Sequence, residues 1–203
     1  MLINNNNLER LLLYKNALNK LQSLGFNKVF SDNLADAAGV ASTQVRKDFS
    51  VLKLSGNKRG GYQINDLVEK LNIILGKKEL NNVILIGAGN IGRALLNYRG
   101  FEKAGIKITA GFDIDPAKQS EKPLVLPLED LEEYVHKNKI EIAVLAVPEG
   151  AAQQALDLLA AAGIRGVLNF SSLRLKGNDR TVINNVNLEL ELENVLYFVN
   201  ALG

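Results

Sequence analysis

Val83-Ile84-Leu85-Ile86 runs directly into Gly87-Ala88-Gly89-Asn90-Ile91-Gly92, and Ala94-Leu95-Leu96 continues at helical spacing. Four apolar residues without alternation predict a strand buried on both faces, followed by a tight glycine turn and a helix. A second strand-like run, Lys107 to Phe112, closes on Asp113, which stands 21 residues past Gly92. Strand, G-x-G-x-x-G turn, helix, strand and acidic residue make a dinucleotide-binding pattern in which each part has a physical task. Gly87 makes the turn, Gly89 lets a pyrophosphate approach the backbone, and Gly92 lets helix and strand pack closely. Around them Ala88, Asn90 and Ile91 belong to the helix start, whose unpaired N–H groups suit phosphates. Asp113 accepts from ribose hydroxyls and repels a 2′-phosphate, so NAD(H) is expected ahead of NADP(H). Lys118 is the one neighbouring residue that would tolerate a phosphate.

The alternation of helices and strands continues to the end of the chain. A helix is expected over Leu128–Lys137, a strand over Ile140–Pro148, a helix over Ala151–Ala162 and strands at Gly166–Phe170 and Thr181–Ile183. This is an α/β pattern that predicts a Rossmann-type, doubly wound, mostly parallel sheet. Ligands of such sheets sit beyond the carboxyl ends of the strands, so Ala146, Val147, Pro148, Asn169 and Phe170 are expected in the same crevice, beside the nicotinamide. The last helix, Leu188–Leu202, carries Leu188, Leu192, Val195, Leu196, Val199 and Leu202 on one stripe, with Leu190 and Phe198 off it. An element apolar on more than one face needs more cover than its own sheet offers, which predicts packing into a second subunit. Docking on its own sheet is the alternative.

The first 79 residues are of another kind. They hold 12 basic and 7 acidic residues, net +5, whereas residues 80–203 hold 12 and 15, net −3, so the total of +2 is a cancellation. A basic block joined to an acidic one predicts two domains with different partners, the first compatible with a polyanion. Leu8, Leu11, Leu12, Leu18 and Leu21 recur at helical spacing up to Gly25. Ser31 is a cap candidate for a short helix through Leu34–Ala38, which Gly39 ends. After that turn Ser42 and Thr43 are again cap candidates, and Val45, Phe49 and Leu52 share one face of the following helix. Gln44, Arg46, Lys47 and Ser50 are left on its other faces. Helix, glycine turn and a second helix bearing long donors form a helix-turn-helix pattern. Ser55–Ile64 adds a Gly-rich hairpin with Lys58 and Arg59 at its tip, which predicts the wing of a winged-helix DNA-binding domain. A further helix is expected over Asp66–Leu75. The domains expected are therefore 1–79, 80–186 and a terminal helix over 187–203.

Composition narrows the chemistry. The chain of 203 residues has no Cys and one His, His136, so disulfides, thiolate nucleophiles, iron–sulfur clusters and His-rich metal sites are excluded, and no metal is expected. Met1-Leu2-Ile3-Asn4-Asn5-Asn6-Asn7 lacks the basic-then-apolar order of a secretory signal, and no apolar run suggests a membrane span; the expectation is a cytoplasmic protein. A dehydrogenase needs a substrate site and a proton-moving residue besides its dinucleotide. Setting the two domains aside leaves roughly 18 residues, too few for a catalytic domain. His136 falls at a helix end, away from any strand end. An enzyme is therefore not expected; a nicotinamide-dependent oxidoreductase with an N-terminal assembly domain is the alternative. A CoA-binding protein is a further alternative, against which Asp113 argues.

Several phrases together resemble the Rex family of bacterial redox-sensing transcriptional repressors, over essentially the whole chain. They are Leu34-Ala35, Gly39-Val40, Gln44-Val45-Arg46-Lys47-Asp48-Phe49-Ser50, Gly61-Tyr62, Gly89-Asn90-Ile91-Gly92, Tyr98-Arg99-Gly100-Phe101, Phe112-Asp113-Ile114-Asp115-Pro116, Ala146-Val147-Pro148 and Leu168-Asn169-Phe170. The resemblance implies a homodimer with domain-swapped C-terminal helices. It implies binding to pseudo-palindromic operator DNA at low NADH/NAD⁺ and release when NADH binds. Carried over by position, Gln44, Arg46 and Lys47 face DNA. Gly87, Gly89, Asn90, Gly92, Asp113 and Lys118 hold the adenosine diphosphate part, and Phe170 borders the nicotinamide. In the family a Tyr matched by Tyr98 joins an Arg and an Asp in a switch network. The matching positions here are Asn16 and Asn187, which predicts weaker or differently distributed coupling. The wing order Lys58-Arg59-Gly60-Gly61-Tyr62 also departs from the family's commoner RGxGY.

Overall fold

The computed structural model describes residues 5–54, 60–76 and 80–202. The chain divides into two compact units, Met1–Lys78 and Glu79–Gly203. No helix of the described residues is long and apolar enough to cross a membrane.

The first unit contains α1 (Asn5–Ser23), β1 (Lys28–Val29), α2 (Ser31–Ala38), α3 (Ser42–Val51), β2 (Tyr62–Gln63) and α4 (Ile64–Ile74). The inward face of α1 is Leu11, Tyr14, Lys15 and Leu18, the i, i+3, i+4, i+7 set of one helical stripe. Leu8 and Leu12, expected on that stripe, are 38% and 45% exposed. From α3, Val45 and Phe49 enter the core, with Leu52 packed at its margin. Phe49 meets Tyr14 and Tyr62 edge-on, at centroid distances of 5.7 and 5.1 Å, the geometry favoured by the ring quadrupoles. Gly39, at φ 69°, ends α2 in the left-handed conformation that lacks a Cβ penalty. Ser31 and Ser42 do not cap. The extended cap positions are Phe30 and Ala41, so each serine is already the first helical residue. The expected wing is visible only in its returning arm: Tyr62 and Gln63 pair antiparallel with Val29 and Lys28. Lys58 and Arg59 lie outside the described residues.

The second unit runs β3 (Asn81–Ile86), α5 (Asn90–Leu96), α6 (Gly100–Lys103), β4 (Ile106–Asp113), β5 (Ser120–Glu121), β6 (Leu124–Pro127), α7 (Leu131–Asn138), β7 (Ile142–Leu145), α8 (Glu149–Ala161), β8 (Gly166–Asn169), β9 (Val182–Asn185) and α9 (Leu188–Ala201). Its seven strands lie in the order β5-β6-β4-β3-β7-β8-β9, and every pairing but β5 with β6 is parallel. Alternate residues of β3 serve opposite faces: Ile84 and Ile86 join the core under α7 and α8, while Val83 and Leu85 join Leu95 and Leu96 of α5. The uninterrupted apolar run of β3 is thereby explained, since both faces are covered. The chain reverses its direction of travel across the sheet between β3 and β7, which opens a crevice at their carboxyl ends. Leu128–Asp130, expected in one helix with α7, forms a separate 3-10 turn before it.

Nothing in α9 is buried. Leu188, Leu192, Val195, Leu196 and Val199 are each more than half exposed. The alternative that this helix docks on its own sheet is therefore not what the structure has.

Candidate nucleotide crevice and recognition helix

A crevice of about 750 Å³ lies at the β3–β7 switch point. Gly87, Gly89, Asn90, Ile91, Asp113, Lys118, Ala146, Val147, Pro148 and Phe170, all expected there, line it. The three glycines have three different reasons to be glycine. Gly87 has φ 94° and faces the carbonyl of Ala146, into which a Cβ would run. A Cβ on Gly92 would strike the Gly87 carbonyl oxygen, so Gly92 lets α5 close on the turn. At Gly89, a Cβ would meet nothing within 4 Å. No protein atom requires Gly89, which lines the crevice at the start of α5 with its outer side in open space.

Asp113 ends β4 and is only 6% exposed. Its Oδ2 accepts from the Ala88 N–H at 2.8 Å and its Oδ1 from the Asp115 N–H at 2.9 Å. Lys118 Nζ approaches Oδ2 at 3.4 Å and also reaches Asp115 Oδ2 at 3.9 Å. Burial alone raises this carboxyl's pKa, but the N–H groups of Asp115 and Ala88, with Lys118, outweigh it and hold the group below the ordinary carboxylate range. The crevice therefore presents a fixed negative charge, which suits a ribose diol and repels a 2′-phosphate. Lys118 is shared between two carboxylates, which reduces its capacity to offset that repulsion.

Two expected residues do other work. Ala88 donates its N–H to Asp113 and is 1% exposed. Asn169 is fully buried and does not line the crevice. Its Nδ2 donates to Leu173 O and Asn185 Oδ1 at 2.8 and 2.9 Å, and its Oδ1 accepts from Ser171 N and Oγ at 3.0 and 2.7 Å. Both amide hydrogens and both lone pairs are used, so Asn169 shapes the loop after β8 and has nothing left for a ligand. Sequence reasoning missed Ile114, Leu128, Gln154 and Leu158, which also line the crevice. Ile114, 79% exposed, was the one with a signal: an apolar side chain in the open immediately after the acidic strand end.

In the first unit, Thr43, Arg46, Lys47 and Ser50 form the exposed face of α3, at i, i+3, i+4 and i+7. Arg46 is tethered at both ends of its guanidinium, to Asp32 Oδ1 at 3.2 Å and Ser42 Oγ at 2.9 Å. An exposed pair of this kind is worth about 0–1 kcal/mol, little enough for a nucleic-acid phosphate or base to replace it. Gln44 is half-buried and gives an Nε2 hydrogen to Asp48 Oδ1 at 2.7 Å. Asp48 also receives Arg10 Nε and Nη2 at 2.7 and 3.0 Å and the Tyr14 hydroxyl at 2.8 Å. Burial raises the Asp48 pKa, but Arg10, Tyr14 and Gln44 outweigh it and hold the carboxyl low. Burial and the same carboxylate push the Tyr14 hydroxyl up to about 12.

Comparison with known proteins accounts for both units. A family model described as CoA binding domain matches residues 78–173, and one described as Putative DNA-binding protein N-terminus matches residues 3–50. The redox-sensing transcriptional repressor Rex of Thermosipho africanus is 41% identical over 174 residues, 84% of each chain. The chain belongs to the Rex family of redox-sensing transcriptional repressors. A solved structure of RSP in complex with β-NAD⁺ and operator DNA has TM-score 0.88 and 32% identity, and covers 99% of this chain and 94% of that one. RSP in complex with β-NADH gives TM-score 0.83 and 33% identity, covering 99% and 96%. Membership of a repressor family removes the oxidoreductase alternative. Among the described residues no group of three or more His, Cys, Asp or Glu could hold a metal, and His136 is exposed beside Glu132, away from the crevice.

Of the positions expected in a switch network, Asn16 belongs to the first unit and Tyr98 and Asn187 to the second. Tyr98 is 59% exposed and stacks edge-on with Phe101 at 5.0 Å. Asn16 is exposed on α1. Asn187 is the N-cap of α9, its side chain accepting from the Leu190 N–H at 3.0 Å. An Asn is among the best residues for that place, a helical task that the sequence comparison with the family does not suggest.

Proposed function

We propose that this Rex protein binds operator DNA through α3 when NADH is scarce relative to NAD⁺, and lets go of it when NADH occupies the crevice. The observation that carries the reading is one chain bearing both a crevice lined by the glycine turn, the start of α5 and the buried Asp113, and a helix face of exposed donors. Gly89 and the α5 N-terminus at Asn90 and Ile91 take the pyrophosphate. Asp113, whose two oxygens hold Lys118 only at 3.5 and 3.4 Å, accepts from the ribose hydroxyls as that lysine gives way. Ala146, Val147, Pro148 and Phe170 enclose the nicotinamide end in apolar surface. A cationic oxidised ring loses solvation there, whereas the neutral reduced ring does not, so these side chains favour NADH.

Arg46 and Lys47 are the primary DNA-contacting groups, supported by Ser42, Thr43, Gln44 and Ser50 and by the wing residues Lys58 and Arg59. The repressor acts in the cytoplasm as a homodimer joined through swapped α9 helices. The uncovered leucines and valines of that helix support the assignment, and a dimer meets two half-sites of a pseudo-palindrome about one helical turn apart. NADH must favour the arrangement that misses this spacing, because a ligand with equal affinity for both moves nothing.

Titrating operator affinity at fixed salt across NADH/NAD⁺ ratios tests the reading, with a loss of at least about tenfold expected as NADH replaces NAD⁺. Unchanged affinity would overturn it. Arg46→Ala is expected to abolish operator binding while NADH fluorescence titration stays that of the wild type; loss of both would mean a folding defect instead.

A further inference from the structure

Gln44 does not sit freely on α3. Its Nε2 lies 2.7 Å from Asp48 Oδ1, one helical turn on, and Asp48 is itself held by α1: Arg10 forks onto both carboxylate oxygens and Tyr14 donates to Oδ2. The carboxylate thus receives four hydrogen bonds from described residues, one for each lone-pair position it has. Its side chain is 12% exposed and that of Arg10 23%, so water competes little for either. A carboxylate so saturated cannot swing. It accepts and cannot donate, so the Gln44 amide has only one orientation in which it meets Asp48: nitrogen inward, oxygen outward.

That orientation bears on base reading. A glutamine reads adenine through both ends of its amide, oxygen accepting and nitrogen donating. A free glutamine presents either end first and loses rotamer entropy when it docks. Gln44 has its oxygen and its second N–H already placed, and presents an acceptor foremost. We propose that Asp48 is a specificity-determining positioning residue: it touches no base, but by holding the Gln44 amide it sets which base pair α3 prefers at one position of each half-site. Arg10, which holds both carboxylate oxygens, makes α1 the support on which that preference rests.

The inference rests on α3 being the DNA-reading helix, and the test separates the two. The full-length chain selects from a duplex library randomised over two half-sites, at fixed salt with NAD⁺ present, and the enriched pool is sequenced. Wild type is expected to select a defined half-site. Gln44→Ala is expected to flatten the preference at one base pair about tenfold. Asp48→Asn, whose amide nitrogen can replace the acceptor facing Gln44, is expected to flatten or change that same position and leave the others alone. The double variant is expected to be no flatter than Gln44→Ala. Thermal unfolding accompanies each variant. Where Asp48→Asn does not fold, Asp48→Glu keeps the charge for Arg10 and displaces the carboxylate by a methylene, with the same loss expected. Tyr14→Phe, which spares the Gln44 bond, is expected to keep the wild-type preference. An Asp48 variant that changes enrichment uniformly, or adds to Gln44→Ala at other positions, overturns the inference and leaves Asp48 a structural residue. A wild type that selects no sequence overturns the reading of α3 itself.

Discussion

Each unit of this repressor contains one deeply placed carboxylate held in its charged form, and the two are held differently. Asp48 is satisfied by side chains of residues up to 38 positions away, from α1 and from its own helix. Asp113 is satisfied chiefly by two backbone N–H groups, of Ala88 and Asp115, belonging to the turn and strand end that form the crevice. A side-chain cage ties distant segments together and is vulnerable to single substitutions. A backbone cage survives any side-chain substitution of its donors short of proline, and the carboxylate it holds lines the crevice. The first arrangement stabilises a fold; the second prepares a site.

Substitutions can break this contrast. Asp48→Ala leaves the Arg10 guanidinium and the Tyr14 hydroxyl without their acceptor, and should cost about 3 kcal/mol of stability in the first unit, read by thermal or urea unfolding. In the crevice turn, Gly92→Ala forces α5 off the Gly87 carbonyl and should cost about 2 kcal/mol. Gly89→Ala meets no protein atom, so stability should hold while NADH affinity falls about tenfold, about 1.4 kcal/mol; a destabilised Gly89→Ala with unchanged NADH affinity would show Gly89 to be structural. Tyr14→Phe removes one bond to Asp48 and should cost about 1 kcal/mol.

That last difference has a pH signature. The Tyr14 pKa is raised from 10.0 to about 12 in the folded chain, so its contribution is complete below about pH 10 and fades as pH rises through 12. Wild type should lose its advantage over Tyr14→Phe across that window. Asp48 and Asp113 have the opposite sense: both folded values lie below 3.8. Their contributions are complete above the unfolded value and are lost as pH falls below about 4.

The sheet was legible where burial left an apolar run, as in β3 and β7, and at β4 and β8 where strand-like residues follow a glycine and the alternation with helices places them. It was not legible at β6, because Leu124–Pro127 is four residues that follow Pro123 and end on Pro127, and has the punctuation of a loop. Two-residue strands such as β1 and β2 have no period to detect. In the site, glycine spacing and Asp113 carried their own signature, since turn chemistry is local. The linkage of Asp48 to Arg10 and Tyr14 is not local, and no spacing within α3 announces it. Ser31 and Ser42 misled as caps because capping depends on where the backbone leaves the extended region, a matter of one residue. Asn169 was expected at the ligand because it ends a strand; its four hydrogen bonds turn it inward instead.

Those four bonds also make a mechanical connection. Asn185 ends β9, exchanges hydrogen bonds with Leu175 and accepts from Asn169 Nδ2, and the next neighbour of Asn169 along the chain is the crevice wall residue Phe170. Only Val186 and Asn187 separate Asn185 from the first turn of α9. Two residues of chain and a pair of hydrogen-bonded amides therefore join α9 to the wall of the crevice. Every donor and acceptor of Asn169 is engaged in that path, so the end of β9 and the loop that begins at Phe170 are held to one another beside the start of α9.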